Sequence, residues 1–196
     1  MKIYKPEQLN KILNTFKWGC YLINDNKPYN VTDSLDNWYQ YKVLTPKQFL
    51  LARGGCCWDY VNFEYYYFTK YLPNINIHCY YIEDEINNHT WLTYELNDKI
   101  YLFESSWKNH IGIYQFNTNY EMLNYYIQLQ YKENNNKSYI VYEYIPKSNL
   151  SCEKFIIDIF KNGKLIMKDN NYYNKYIKPL IDNKFTDLTI YFNKWK

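Results

Sequence analysis

The chain has 196 residues, with 23 Lys and Arg against 20 Asp and Glu and a formal charge of +3. That length suits one domain able to bury a core without metal or disulfide staples. The charge is too small and too evenly spread to imply a nucleic-acid partner. No apolar run reaches the length of a membrane span and Met1–Leu13 lacks a signal-peptide core, so no membrane partner and a cytoplasmic location are expected. Five cysteines at irregular spacing make neither a disulfide framework nor a zinc ladder. Cys20, Cys79 and Cys152 read as small core residues, and neither metal nor cofactor is expected.

Pro6 opens a helix where its missing N–H costs nothing, with Leu9, Ile12, Leu13 and Phe16 as the buried stripe and Gly19 at its end. Residues 24–37, rich in Asn and Asp and holding Pro28, read as a loop. Thr45-Pro46-Lys47-Gln48 is a capping-box start for a short helix carrying Phe49 and Leu50 and closed by Gly54. A second helix follows at once. Trp58, Val61, Tyr65, Phe68 and Leu72 recur at steps of three and four, and Pro73 stops the run.

Beyond Pro73 the period changes. Ile75–Ile82 predicts a strand, and Glu83-Asp84-Glu85 a solvated acidic turn. Thr90–Glu95 and Ile100–Glu104 flank Leu96-Asn97-Asp98-Lys99 as a hairpin. Thr118–Glu121 is another capping box, opening a helix with Leu123, Tyr126, Ile127 and Gln130 that ends at Asn134–Asn136. Ser138–Ile145 predicts a strand, 151–161 a helix stopped at Gly163, and Leu165–Met167 a short strand. The pattern implies an α+β fold, with a main domain over 1–145 and residues 146–196 as an α/β extension or small subdomain packed on it.

The chemistry concentrates at Arg53-Gly54-Gly55-Cys56-Cys57-Trp58-Asp59. A thiol at a helix amino end meets unpaired N–H groups and the positive end of the dipole, which favour its reactive thiolate. Either Cys56 or Cys57 occupies that place. Asp59 and Glu64 on the same helix read as a cap or solvent-facing residues. A cysteine nucleophile needs a base, and the base an orienting group. Three histidines are available: His78, His89 and His110. A hairpin turning on Asn97-Asp98 pairs residues whose numbers sum to about 195, so Trp91 faces Glu104. His89 and Glu104 then share a face, roughly 5–8 Å apart at their Cβ atoms. A three-residue loop would break that relation.

Gly55-Cys56-Cys57-Trp58-Asp59, His89-Thr90-Trp91 and Tyr101-Leu102-Phe103-Glu104 resemble the three core motifs of the transglutaminase-like superfamily of papain-like thiol enzymes. Arg53-Gly54-Gly55-Cys56-Cys57 is also similar to the nucleophile motif of arylamine N-acetyltransferases. Phe103-Glu104-Ser105-Ser106-Trp107 resembles a motif of small bacterial and phage transglutaminase-like proteins. The resemblance spans roughly residues 5–116. It implies a papain-like core, a nucleophile helix on a small antiparallel sheet, with Cys57 as nucleophile, His89 as base and Glu104, where Asp is commoner, as its orienter.

The implied reaction is acyl transfer on an amide of a peptide or protein, by a hydrolase, deamidase or transglutaminase. The Cys57 N–H would face the oxyanion. A side-chain donor is expected upstream, among Trp38, Tyr39, Gln40 and Tyr41, while Trp58, Trp91 and Trp107 flank the motifs as candidates for substrate contact. The alternative is a catalytically silent module of the same fold that binds a protein or peptide.

Overall fold

Side chains alternate between two faces along the central strands, and that alternation sets the architecture. The structure is a computed structural model that describes residues 4–24, 27–32, 41–134, 138–186, 188 and 191. Its centre is a six-stranded antiparallel sheet whose strands lie in the order 164–168, 139–144, 76–84, 88–96, 99–104 and 112–116. The strands are β5 (Asn76–Asp84), β6 (Asn88–Leu96), β7 (Lys99–Glu104), β8 (Gly112–Phe116), β9 (Tyr139–Tyr144) and β10 (Lys164–Lys168). Before them come α1 (Pro6–Leu13), β1 (Lys17–Trp18), β2 (Cys20–Asn24), β3 (Lys27–Thr32), α2 (Pro46–Ala52), β4 (Gly54–Gly55) and α3 (Cys57–Tyr71). The fold is α+β.

Cys79, Tyr81, Leu92, Tyr94, Phe103, Ile140 and Tyr142 point to one face, where they meet α3 and α5 (Cys152–Asn162). Tyr80, Ile82, Trp91, Leu102 and Val141 point to the other, under Met122, Leu123 and Tyr126 of α4 (Asn119–Asn134). The register between β6 and β7 runs Leu92↔Phe103, Thr93↔Leu102, Tyr94↔Tyr101, so paired numbers do sum to 195. Asn97 and Asp98 both adopt positive φ (51° and 57°). That is the two-residue turn whose twist suits a hairpin, and Asn and Asp tolerate it.

Several elements depart from expectation. α1 ends at Leu13, where the Thr15 hydroxyl donates to the Ile12 carbonyl. Phe16 packs on Phe49 from outside the helix, and Gly19 lies between strands because residues 17–18 pair with Gly54–Gly55. The expected loop from 24 holds strand β3, paired with β2; backbone ladder bonds need no favourable side chain. Residues 33–40, with Trp38, Tyr39 and Gln40, lie outside the described residues. α2 is capped by Thr45 as expected, but Arg53, not Gly54, takes the left-handed closing position. At α4 Thr118 accepts the Glu121 N–H as expected, but the Glu121 carboxylate accepts from Asn117 N–H, one residue before that cap. β8 was not anticipated.

The acidic turn is the largest correction. Glu83 and Asp84 end β5 and are fully buried. Glu83 accepts hydrogen bonds from the hydroxyls of Tyr81, Tyr172 and Tyr191, the last two far along the chain. Asp84 accepts from Ile86 N–H, Asn87 N–H and Gln130. Clustered acids look solvated in sequence, but a carboxylate with enough donors can be buried.

Residues after 146 enter the same sheet and core. β10 pairs with β9, Phe155 of α5 stacks on Trp58 at 4.3 Å, and a helical run follows as α6 (Asn170–Tyr172), a π-turn (Tyr173–Ile177) and α7 (Lys178–Asp182). Among the described residues no helix is long and apolar enough to cross a membrane.

Glu83→Ala should cost roughly 3 kcal/mol, because it strands buried phenol hydroxyls as well as opening a gap. Urea unfolding of the variant against wild type measures this; a loss under about 0.5 kcal/mol would mean the tyrosine cluster contributes nothing to stability.

Candidate active site

The turn into α3 is built by close backbone approach. A Cβ on Gly54 would lie 2.3 Å from the Lys17 carbonyl oxygen, and one on Gly55 2.5 Å from Asp59 Cβ, so neither position admits a side chain. Asp59 is fully buried and receives the N–H of Cys56 (2.9 Å) and of Leu44 (2.7 Å). It caps the helix from within and fixes the preceding strap to it. Burial raises the Asp59 carboxyl to about 7, against the Tyr41 hydroxyl and those two amides.

Cys56 is the N-cap and Cys57 the first helical residue. The two adjacent thiols differ sharply. Burial pushes Cys56 well up, so it keeps its proton. That proton faces two acceptors, the Tyr41 oxygen at 3.1 Å and the Cys57 sulfur. Hydrogen bonding from Cys56, followed by the His89 ring, holds Cys57 well below the usual thiol range against the cost of burial. As first residue of the helix, Cys57 has a backbone N–H with no partner inside the helix.

His89 stands near the start of β6 and Glu104 at the end of β7. Both face the α4 side of the sheet, and His89 Nε2 lies 3.0 Å from Glu104 Oε2. Burial disfavours the charged ring, but the Glu104 carboxylate and the Cys57 sulfur together raise His89 from 6.5 to about 10. Burial likewise opposes the Glu104 charge, yet His89 and the surrounding donors bring it down to about 2. With Nε2 given to Glu104, the nitrogen left for the Cys57 sulfur is Nδ1. α3 lies on the opposite sheet face, so thiol and imidazole meet at the sheet's end. There Cys57 adjoins Thr90, while Phe68, near the other end of α3, packs on Tyr94 and Phe103.

Glu104 is held from several sides. Oε1 accepts from the N–H groups of Ser106 and Trp107, both 2.8 Å, and from the Ser106 hydroxyl at 3.1 Å. Its backbone carbonyl accepts from Asn10 of α1 at 2.8 Å. Trp107 lies against His89, ring centroids 5.3 Å apart.

The remaining candidates separate. Cys57, His89, Glu104 and Trp107 come together. Trp91 is 1% exposed, stacked under Tyr126 at 3.9 Å, so it packs the core and lines no surface. Trp58 is buried against Phe155. Tyr41 is buried with its hydroxyl engaged by Asp59 and Cys56. It stiffens the helix cap. His78 pairs with Glu143 at 2.6 Å elsewhere on the sheet, and His110 lies on a turn beside Trp107. All five cysteines are free and buried. Among the described residues no group of three or more His, Cys, Asp or Glu is placed to hold a metal ion.

Glu64 is the participant that sequence reading placed in solvent. It is fully buried one sheet face behind Glu104, bonded by the Ser105 hydroxyl. Burial, then the nearby Glu104 charge, raise it to about 8 despite Ser105 and His89. It is therefore neutral at pH 7 and adds no second negative charge behind the pair. An i, i+7 relation to Cys57 along α3 was the available signal.

No protein-family model, curated protein or solved structure matches the chain.

The two carboxylates give opposite pH dependences. Glu104, depressed from 4.5 to about 2, contributes stability that is present above pH 4.5 and lost as pH falls toward 2. Glu64, raised from 4.5 to about 8, makes the folded state lose stability as pH rises between those values, by up to about 1.4 kcal/mol per pH unit. Glu64→Gln should flatten the decline between pH 5 and 8. Unfolding free energies measured at pH 5 and pH 8 decide it, and equal slopes in both proteins would mean that Glu64 is ionised in the fold.

Proposed function

We propose that this chain is a cytosolic, cysteine-dependent acyl-transfer enzyme with a transglutaminase-like, papain-like core, acting on amide groups of a peptide or protein. The observation that carries the reading is one arrangement: a thiol at a helix tip, held well below the usual thiol range, beside an imidazole that is itself 3.0 Å from a buried carboxylate. An ion pair of thiolate and imidazolium is a nucleophile and an acid ready together.

The steps follow from those groups. Cys57 sulfur attacks the amide carbon, and the carbonyl electron pair moves onto oxygen beside the free N–H of Cys57. His89 Nδ1 delivers its proton to the departing nitrogen as the C–N bond breaks, leaving a thioester. Neutral His89 then takes a proton from water, or from an amine, as that molecule attacks the thioester. Collapse returns the thiolate and releases an acid or a new amide. Glu104 keeps the ring oriented and stabilises its charge throughout without taking its proton.

One observation favours the silent binding module: Cys57 is only 7% exposed, which leaves little of the residue open to an incoming amide.

Iodoacetamide at neutral pH should alkylate Cys57 at least about a hundredfold faster than Cys20 or Cys152, whose thiols burial holds high. His89→Ala should abolish most of that advantage. Peptide mapping of the labelled protein measures both. Labelling of Cys57 no faster than the other two selects the binding module. A screen of glutamine-containing peptides with and without an amine, read by ammonia release and product mass, separates hydrolysis from transamidation.

A further inference from the structure

The orienting acid here is Glu, whose extra methylene adds a rotatable bond that an Asp would not have. Something must hold its far oxygen. Oε1 is fixed by the two amides and the hydroxyl that follow it in sequence. Oε2, the oxygen that meets His89, has a second donor from a distant element: the Tyr126 hydroxyl of α4, 2.7 Å away and buried. The same tyrosine ring lies nearly parallel to His89, at 13° and 5.9 Å between centroids. Its ring is stacked on Trp91 at 10° and 3.9 Å, and Trp91 lies in turn on Tyr80 at 5.4 Å. Ring and hydroxyl are therefore both fixed in place.

We propose that Tyr126 is a positioning residue of the site, clamping Glu104 Oε2 so that a glutamate holds His89 as firmly as a shorter aspartate could. The proposal rests on the acyl-transfer reading for its consequence in turnover, though not for its geometry. A hydroxyl donating to Oε2 also makes that oxygen a poorer proton acceptor, so the proton stays on the imidazole. Against burial, His89 does most to hold Glu104 low, and the Tyr126 hydrogen bond adds to it. A packing role alone would use the ring and not the hydroxyl.

Tyr126→Phe keeps the ring and removes the donor, and the preserved stack on Trp91 keeps the fold. Two readouts are taken on wild type and variant. The first is the iodoacetamide rate at Cys57 from pH 4 to 9. The variant should react about tenfold slower at neutral pH, the loss of one charge-assisted hydrogen bond, with its acid limb moved to higher pH. The second is the His89 Nε2–H signal in 15N NMR, which does not depend on thiol reactivity. It should exchange with solvent at least about tenfold faster in the variant.

An unchanged profile together with an unchanged exchange rate overturns the clamp. If wild-type Cys57 has no privileged reactivity, the acyl-transfer reading fails, while the NMR comparison alone still supports or overturns the role of Tyr126. Glu104→Asp provides the second comparison. The shortened acid cannot reach the phenol, so adding Tyr126→Phe to it should change neither readout further; an equal effect in both backgrounds places the hydroxyl's action elsewhere and sinks the proposal.

Discussion

The hydrogen bond between His89 and Glu104 depends on the register of one hairpin. Two residues, Asn97 and Asp98, turn the chain with positive φ, and the ladder that follows runs to Leu92 opposite Phe103, one step short of Trp91 and Glu104. A slip of one residue would send the carboxylate to the α3 face, beside Glu64 and away from the imidazole. Burial of Leu102 and Trp91 on one face and Phe103 and Leu92 on the other makes that slip costly. The site is thus held by the same alternation that builds the core.

Around it, the molecule buries acids by giving each a different kind of partner. Glu104 has a cation and several donors. Asp59 has two backbone amides and a phenol. Glu83 accepts from the phenols of Tyr81, Tyr172 and Tyr191. Glu64, with a single hydroxyl, stays protonated. The pattern gives the tyrosine content a physical role. A phenol packs like an aromatic core residue and carries one donor at its tip, so tyrosines can line an interior and still satisfy buried carboxylates. Tyr41, Tyr81, Tyr126, Tyr172 and Tyr191 all do this.

The two cysteines at the helix tip show how finely position decides chemistry. Cys56 and Cys57 share composition, burial and sequence neighbourhood. One sits on the cap beside Tyr41 and Asp59 and retains its proton. The other begins the helix beside His89, and its thiol is held well below the usual range. Hydrogen bonding separates them physically.

Local signals in the sequence were enough wherever the interaction spans a few residues. The cap of α2, the start of α5 and the stop at Pro73 follow from side chains within one turn, and the facing of His89 and Glu104 follows once the hairpin turns on two residues, as it does. Contacts between distant elements were not legible there. Glu83 looks like a surface acid until Tyr172 and Tyr191 arrive from the far end of the chain. Glu64 looks solvated until β7 covers it with Ser105, and Tyr126 looks like plain core until its hydroxyl meets Glu104. Residue type and spacing specify which groups can meet along a strand or helix. Only the packed fold supplies the donors from elsewhere that decide whether a buried charge is kept, shared or neutralised.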